Sequence, residues 1–200
     1  MQERARWLLG RCVAKDAIRL HRGTAECMAD LRVIEQEHGR LEAQLPDDGP
    51  APLIAVDCTG FAAVGVAADR KHVALVGIGL ESTEGEVELD KSPAFSEQEL
   101  AVLKEGVAKL GIAPERVDAA GRCVTTALAN ALQVSAQDAE RLLTLQAWRE
   151  TEKVFVFKAA QAVRESLAPL RSAKDPAVDI PVYVKIEEGR CIALCLMESL

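Results

Sequence analysis

The sequence predicts an α+β protein in which helices pack against antiparallel sheets. Three observations predict this class: an amphipathic helix opens the chain, short apolar strands with tight turns follow, and a hairpin ends it after further helical segments. Strands and helices come in blocks, which is not typical of a parallel, doubly wound sheet. With 200 residues, 49% apolar and 28% charged, the chain can form a sizeable globular core.

The first predicted helix covers residues 3–20. Its apolar positions recur near helical spacing, and they are Trp7, Leu8, Cys12, Ala14 and Ile18. Its polar side is strongly basic and carries Arg4, Arg6, Arg11, Lys15 and Arg19. The whole chain has a net charge of -7, so this helix concentrates positive charge in an acidic protein. Such segregation suits an anionic ligand, and a solvated helix face is the alternative interpretation.

A group of short strands is predicted to follow this helix. The first is Leu31–Glu35, with a turn at residues 38–40 and a surface loop at residues 45–52. Three apolar runs then predict an antiparallel meander, and they are Leu53–Asp57, Phe61–Ala68 and Val73–Leu80. Gly77 and Gly79 leave one edge of the last strand without side chains, so that a ligand or another backbone can approach closely. The strand leaves the core at the carboxylate of Glu81.

The second part of the chain begins with an acidic loop at residues 82–91. A helix is predicted from Ser96 to Gly111, with Ser96 and Glu99 as a capping box and Gly111 as the stop. One long or broken helical stretch is predicted from Ser135 to Leu167. The last two strands, Val182–Ile186 and Cys191–Met197, are predicted to form a hairpin.

Composition excludes several classes of protein. The net charge of -7 argues against nucleic acid as the main partner. No apolar run reaches membrane-spanning length and the first residues lack a secretory core, so we expect neither a membrane protein nor a secreted one. The six cysteines form no Cys-x-x-Cys pair, which argues against a zinc site and predicts reduced, mostly buried thiols in a cytoplasmic protein.

Several segments resemble the 4'-phosphopantetheinyl transferases, especially the domains fused to polyketide and polyunsaturated fatty acid synthases. The helix Arg6–Ala17 resembles the opening helix of that family. Gly77-Ile78-Gly79-Leu80-Glu81 resembles its Gly-x-Asp-x-Glu metal motif, and Trp148-Arg149-Glu150-Thr151-Glu152 resembles its Trp-x-x-Lys-Glu motif. Phe95 and Glu99 match a Phe-x-x-x-Glu element that follows the metal motif.

The resemblance implies the fold of the two-half, surfactin-synthetase type. That fold is a pseudodimer of two similar α+β halves with the active site between them, which here implies halves at residues 1–81 and 82–200. The implied reaction moves 4'-phosphopantetheine from coenzyme A to a serine of an acyl or peptidyl carrier protein, with Mg2+ to neutralise the pyrophosphate and a base to activate the serine.

The resemblance also implies roles for individual residues. Glu81 and Glu152 are the implied metal ligands, and Glu152 is the implied catalytic carboxylate. The implied contacts to the phosphates of coenzyme A come from four basic residues, which are Arg6, Arg11, Lys15 and Lys158.

The match departs from the family pattern where the chemistry is concentrated. Gly79 stands where the family has its metal-binding Asp, and Thr151 stands where the second motif has Lys. Asp57-Cys58 replaces a usual Ser-His. Asp57 ends a strand that we expect beside the strand of Glu81, so it is a candidate to compensate for the missing carboxylate.

A further departure concerns the lysine that follows the catalytic Glu. Val156 stands at its place, and Lys158 lies two residues further on. A second register is open, in which Lys104-Glu105-Gly106-Val107-Ala108-Lys109 fills the Lys-Glu-x-x-x-Lys pattern and Glu105 replaces Glu152.

Three functions therefore remain open from the sequence. The chain is a transferase with a degenerate metal motif, a non-catalytic structural or docking domain of a megasynthase, or an unrelated α+β binding domain. Transfer to a carrier protein separates the first from the other two.

Overall fold

A computed structural model describes residues 2–24, 27–36, 41–47, 49–84, 94–167 and 179–199. The helices are α1 (Gln2–Arg22), α2 (Glu97–Lys109), α3 (Val117–Leu132), α4 (Ala136–Leu142) and α5 (Gln161–Leu167), with a 3-10 turn at Pro114–Arg116. The strands are β1 (Arg32–Glu35), β2 (Leu41–Gln44), β3 (Leu53–Thr59), β4 (Ala62–Ala68), β5 (Val73–Ser82), β6 (Leu143–Arg149), β7 (Val154–Ala159), β8 (Asp179–Glu187) and β9 (Arg190–Glu198).

These elements form four layers. A four-stranded antiparallel sheet has the order β1-β2-β3-β4, and a five-stranded antiparallel sheet has the order β5-β9-β8-β7-β6. Helix α1 packs on β3 and β4, β5 packs against β3 and β4, and α3 covers β5 and β9. The layer order is therefore helix, sheet, sheet, helix, which confirms the predicted α+β class.

The predicted meander is wrong at its third strand. β3 and β4 pair as expected, but β5 crosses to the second sheet and pairs with β9, with Gly77 opposite Cys195. Val76 and Ile78 pack towards the first sheet, whereas the opposite face of β5 meets α3. Because both faces of this strand are apolar, it is most stable between two layers, where neither face meets water.

The predicted helical stretch from Ser135 to Leu167 is also wrong over most of its length. α4 is short, and the chain then forms the β6–β7 hairpin before α5. Val154, Phe155, Val156 and Phe157 are all buried. A run of β-branched and aromatic residues suits a strand buried on both faces, and apolar density alone does not separate that case from a helix.

Strand β2 was not predicted. The expected turn at residues 38–40 lies outside the described residues, as does most of the expected acidic loop at 82–91. The predicted final hairpin is confirmed by β8 and β9, in which Val182 lies opposite Cys195.

Helix α2 begins and ends as its sequence predicts. The Ser96 hydroxyl accepts a hydrogen bond from the Glu99 backbone N–H at 3.4 Å, and the Glu99 carboxylate accepts one from the Ser96 N–H at 2.9 Å. Gly111 has φ of +73°, which lets the Ile112 N–H turn back to the carbonyl of Val107. The second oxygen of Glu99 accepts from the Leu145 N–H at 2.9 Å and so joins α2 to β6.

Helix α3 lies directly on the backbone of β5. A side-chain carbon on Gly79 would overlap the carbonyl oxygen of Cys123, and one on Gly77 would overlap the carbonyl oxygen of Ala127. Two strand residues advance about 6.7 Å and one helical step of four residues about 6 Å. The spacing of the glycines along the strand therefore matches the spacing of successive helix turns, and one turn packs on each glycine.

The two long helices share a tetrapeptide. Gly10-Arg11-Cys12-Val13 in α1 is identical to Gly121-Arg122-Cys123-Val124 in α3. Each helix packs on one sheet; five strands follow α1 before α2, and four strands follow α3. The division into halves at residues 1–81 and 82–200 stays a prediction, and β5 is hydrogen-bonded within the second sheet. In the described part of the chain, no helix is long and apolar enough to cross a membrane.

We predict that Gly79→Ala lowers the free energy of unfolding by at least about 2 kcal/mol, because the new methyl group overlaps backbone that has no freedom to move aside. Urea unfolding followed by circular dichroism measures the change. The matched control is Gly10→Ala in α1, where a side-chain carbon would make ordinary contact at 3.5 Å with Cys58 Sγ. That change should stabilise the protein by about 0.5 kcal/mol or more, as Gly-to-Ala changes in helices do. Equal effects at both positions would contradict the packing argument.

Candidate functional site

Four charged side chains, one from each layer, lie in two oppositely charged pairs near the end of β5. They are Arg6 of α1, Asp57 of β3, Glu81 of β5 and Arg122 of α3, and we call them the junction cluster. The cluster carries two carboxylates and two guanidinium groups. It lies where the two sheets and their helices come together.

Asp57 connects the two sheets. One of its oxygens accepts a hydrogen bond from the Cys58 N–H at 2.8 Å, and the other accepts from the Leu80 N–H of β5, also at 2.8 Å. This contact confirms the expectation that Asp57 lies beside the strand of Glu81. Burial raises the pKa of the Asp57 carboxyl, although both N–H donors and the Arg6 charge oppose that shift.

Glu81 is paired with Arg122. Its carboxylate lies 3.5 Å from the Arg122 Nε, and both side chains are largely shielded from solvent, with exposed fractions of 25% and 17%. The pair lies next to the contact between Gly79 and Cys123. The helix position of Arg122 is thus set by the packing of α3 on β5.

The thiols at this junction are poor nucleophiles. Burial raises the pKa of Cys58, and the neighbouring Asp57 charge raises it further. Burial also raises the pKa of Cys123, whose thiol donates to the carbonyl of Cys191 at 3.1 Å. Because the thiolate is the reactive form, neither residue suits covalent catalysis.

The predicted phosphate-binding residues of α1 contact the protein itself. Arg6 donates to the carbonyl oxygen of Cys58. Arg11 pairs with Glu35 at 3.5 Å, and its guanidinium lies 4.9 Å from the ring centroid of Trp7. The ammonium of Lys15 donates to a backbone carbonyl in the loop before β1 at 2.7 Å. These contacts attach the basic side of α1 to the first sheet and its loops.

The structure does not bring Glu152 to Glu81. Glu152 is exposed in the turn between β6 and β7, where it lies 3.8 Å from Arg149. β9 and β8 separate β5 from β7, which places the two strands about 14 Å apart. Lys158 is exposed near the far end of β7, opposite Asp179 in the register.

The second register of the motif falls on an exposed helix face. Lys104, Glu105 and Lys109 are exposed on α2, and Lys109 pairs with Glu150 at 3.1 Å. None of these residues belongs to the junction cluster. The assignment of Glu152 to the motif, with Glu105 as the alternative, stays a prediction.

The residues of the cluster do not fit Mg2+. This ion prefers six oxygen ligands near 2 Å, usually one or two carboxylates with phosphates and water. Position 79 has no room for the carboxylate of the family motif, and Glu81 already faces a guanidinium. Among the described residues, no group of three or more His, Cys, Asp or Glu side chains is arranged to hold a metal ion.

A separate cavity of about 70 Å³ lies at the other end of β5. It is bounded by β3, the start of β5 and the end of α3, and Ala55, Val76 and Asn130 are among its lining residues. Among the described residues, none with a charged side chain lines it. Asn130 Nδ2 donates to the Ile78 carbonyl at 2.7 Å, so this amide stabilises the α3–β5 contact.

Arg122 is the member of the cluster that sequence reasoning missed. It lies in an apolar helix, outside every motif of the resemblance. The signal that could have found it is the repeated tetrapeptide, because Arg122 occupies the position that Arg11 has in α1. In comparisons with known proteins, no family model matches the chain, and no curated protein matches it.

We predict that Asp57 makes the stability depend on pH with an unusual sign. Its pKa in the folded protein is raised above 3.8, so its contribution is fully present below pH of about 3.8 and is lost as the pH rises through the folded value. Chemical unfolding of the wild type and Asp57→Asn between pH 3 and 7 measures this. The wild type minus variant difference in unfolding free energy should decrease as pH increases.

The control is Asp69→Asn in the turn before β5. The pKa of Asp69 is lowered, chiefly by the hydrogen bond from the Lys71 N–H. Its contribution is present above the unfolded value and is lost as the pH falls, so the corresponding difference should increase with pH. A parallel response of the two variants would refute the assignment for Asp57.

Proposed function

We propose that the chain is a phosphopantetheinyl transferase-like domain that acts without transfer chemistry, as a structural or docking domain in a polyketide or fatty acid synthase. The observation that carries the proposal is the contact of Gly79 with the Cys123 carbonyl. A metal-binding carboxylate at position 79 is incompatible with this packing of α3 on β5. This packing therefore supports a domain without transfer chemistry.

The proposed pseudodimer is supported by the two related helix segments. The shared Gly-Arg-Cys-Val segment places Arg11 and Arg122 at equivalent positions of two helices, each packed on a sheet. In the proposed pseudodimer, α1 with the first sheet and α3 with the second sheet are the related units, and the junction cluster lies between them. The opening helix keeps the family pattern although the metal motif has changed.

The charges support a domain that does not turn over coenzyme A. The pyrophosphate of that substrate needs cations to neutralise it. Arg6, Arg11 and Lys15 have their own partners within the protein. Binding the phosphates would break contacts that attach α1 to its sheet, and the cost would be subtracted from the affinity.

The proposed partner is an acyl or peptidyl carrier protein, recognised without modification of its serine. We expect that an apo acyl carrier protein incubated with this chain, coenzyme A and Mg2+ keeps its mass, while size-exclusion chromatography or calorimetry detects a complex. An active phosphopantetheinyl transferase on the same carrier protein is the positive control. If the carrier protein gains one phosphopantetheine group, the proposal is overturned. The chain is then a transferase with a degenerate metal motif. Absence of a complex with carrier proteins would favour an unrelated binding domain.

We predict that Arg11→Ala lowers stability and leaves coenzyme A affinity unchanged. The loss should be about 1 kcal/mol, because the variant removes a partly exposed ion pair and a cation–π contact. Urea unfolding and isothermal calorimetry with coenzyme A measure the two effects. Arg4→Ala on the exposed side of α1 is the matched control and should change neither. A selective loss of coenzyme A affinity in Arg11→Ala would support the phosphate-binding role implied by the resemblance.

A further inference from the structure

We propose that Arg122 takes the place of a divalent cation at Glu81, so that an internal guanidinium closes the junction cluster to metal ions. The inference rests on the proposed function, because it concerns the metal position that the resemblance implies. It goes further by naming the residue that excludes the metal and the variant that should admit one.

Packing directs Arg122 to this place. Gly77, Gly79 and Glu81 are alternate residues on one face of β5, and the two glycines contact α3 around Ala127 and Cys123. The helix advances by one turn for every two strand residues, so its next turn reaches the level of Glu81. Arg122 lies in that turn and brings its Nε to 3.5 Å from the Glu81 carboxylate.

Charge balance opposes a divalent cation in the same place. Glu81 and Asp57 supply two negative charges, and Arg122 and Arg6 supply two positive charges. A divalent ion at Glu81 would stand beside the Arg122 guanidinium in a partly buried setting, where repulsion is weakly screened. Both Asp57 oxygens already accept backbone N–H groups, which reduces their capacity to coordinate a metal.

The ion pair with Glu81 also explains why the largely buried helix α3 can carry the charge of Arg122. A charged residue in the largely buried helix α3 is costly unless its charge is paired. Glu81 provides that pairing from the strand on which the helix lies. Removing the guanidinium would take this counter-charge away, and a shielded carboxylate that loses a counter-charge favours a cation or a proton in its place.

The experiment measures Mn2+ binding by electron paramagnetic resonance, which reports the free ion and does not depend on catalysis. Four variants are compared with the wild type: Arg122→Met, Glu81→Gln, the double variant Arg122→Met with Glu81→Gln, and Arg190→Met. Arg190 pairs with Glu188 at 3.8 Å at an exposed turn, so Arg190→Met removes the same charge and controls for non-specific attraction of Mn2+.

Arg122→Met should bind Mn2+ at least about tenfold more tightly than Arg190→Met, and the double variant should lose that gain. Wild type and Glu81→Gln should bind equally weakly. The inference is overturned if folded Arg122→Met binds no better than Arg190→Met, or if Glu81→Gln weakens binding relative to the wild type. If Arg122→Met does not fold, the comparison of wild type with Glu81→Gln decides, because only an open site would make binding depend on Glu81.

The proposed function and the internal-cation inference can be contradicted independently of each other. A wild-type chain that modifies a carrier protein but shows no Glu81-dependent Mn2+ binding overturns the proposed function and leaves the internal cation in place. A chain that does not modify the carrier protein but binds Mn2+ through Glu81 overturns this inference and leaves the docking role in place.

Discussion

The close contact between α3 and the backbone of β5 is the constraint on which the rest of the structure depends. It exists because Gly77 and Gly79 present no side chains to the carbonyls of Ala127 and Cys123. The contact seals the second core and sets the height of the helix over the strand. It also decides which side chain stands beside Glu81, and it leaves no room for a carboxylate at position 79. The same packing therefore stabilises the fold and restricts position 79 to glycine.

The junction cluster follows from that packing and from the cost of shielding charge. Asp57 crosses from one sheet to the other to accept the Leu80 N–H of β5, a strand that is hydrogen-bonded to β9 in the second sheet. A partly buried carboxylate in this position needs donors and counter-charges, and it has two N–H groups and Arg6. On β5, the Glu81 carboxylate is stabilised in the same way by the guanidinium of Arg122. The junction cluster therefore places equal numbers of positive and negative charges where the four layers come together.

The basic side of α1 has a structural explanation. Its charges are concentrated because the loops and strands beside it offer carboxylates and carbonyls, as the contacts of Arg11 and Lys15 show. A segregated charge pattern in sequence is compatible with a ligand site or with attachment to neighbouring elements. Only the positions of the partners separate these cases. Glu99 gives a second example, since the residue that matches a family element caps α2 and accepts from the edge of β6.

The sequence by itself determined the α+β class, the capping box of α2 and the final hairpin, because these depend on local spacing and on nearby residues. Asp57 was also expected near Glu81, since both end strands of one group. Tertiary structure alone decided that β5 leaves its neighbour β4, that Glu152 lies in a β-turn, and that Arg122 pairs with Glu81. The physical reason is that the partners in each case are distant along the chain: β9 completes β5, and α3 brings Arg122 across only because two glycines let it approach. Local patterns record which groups need partners, and packing selects the partners they obtain.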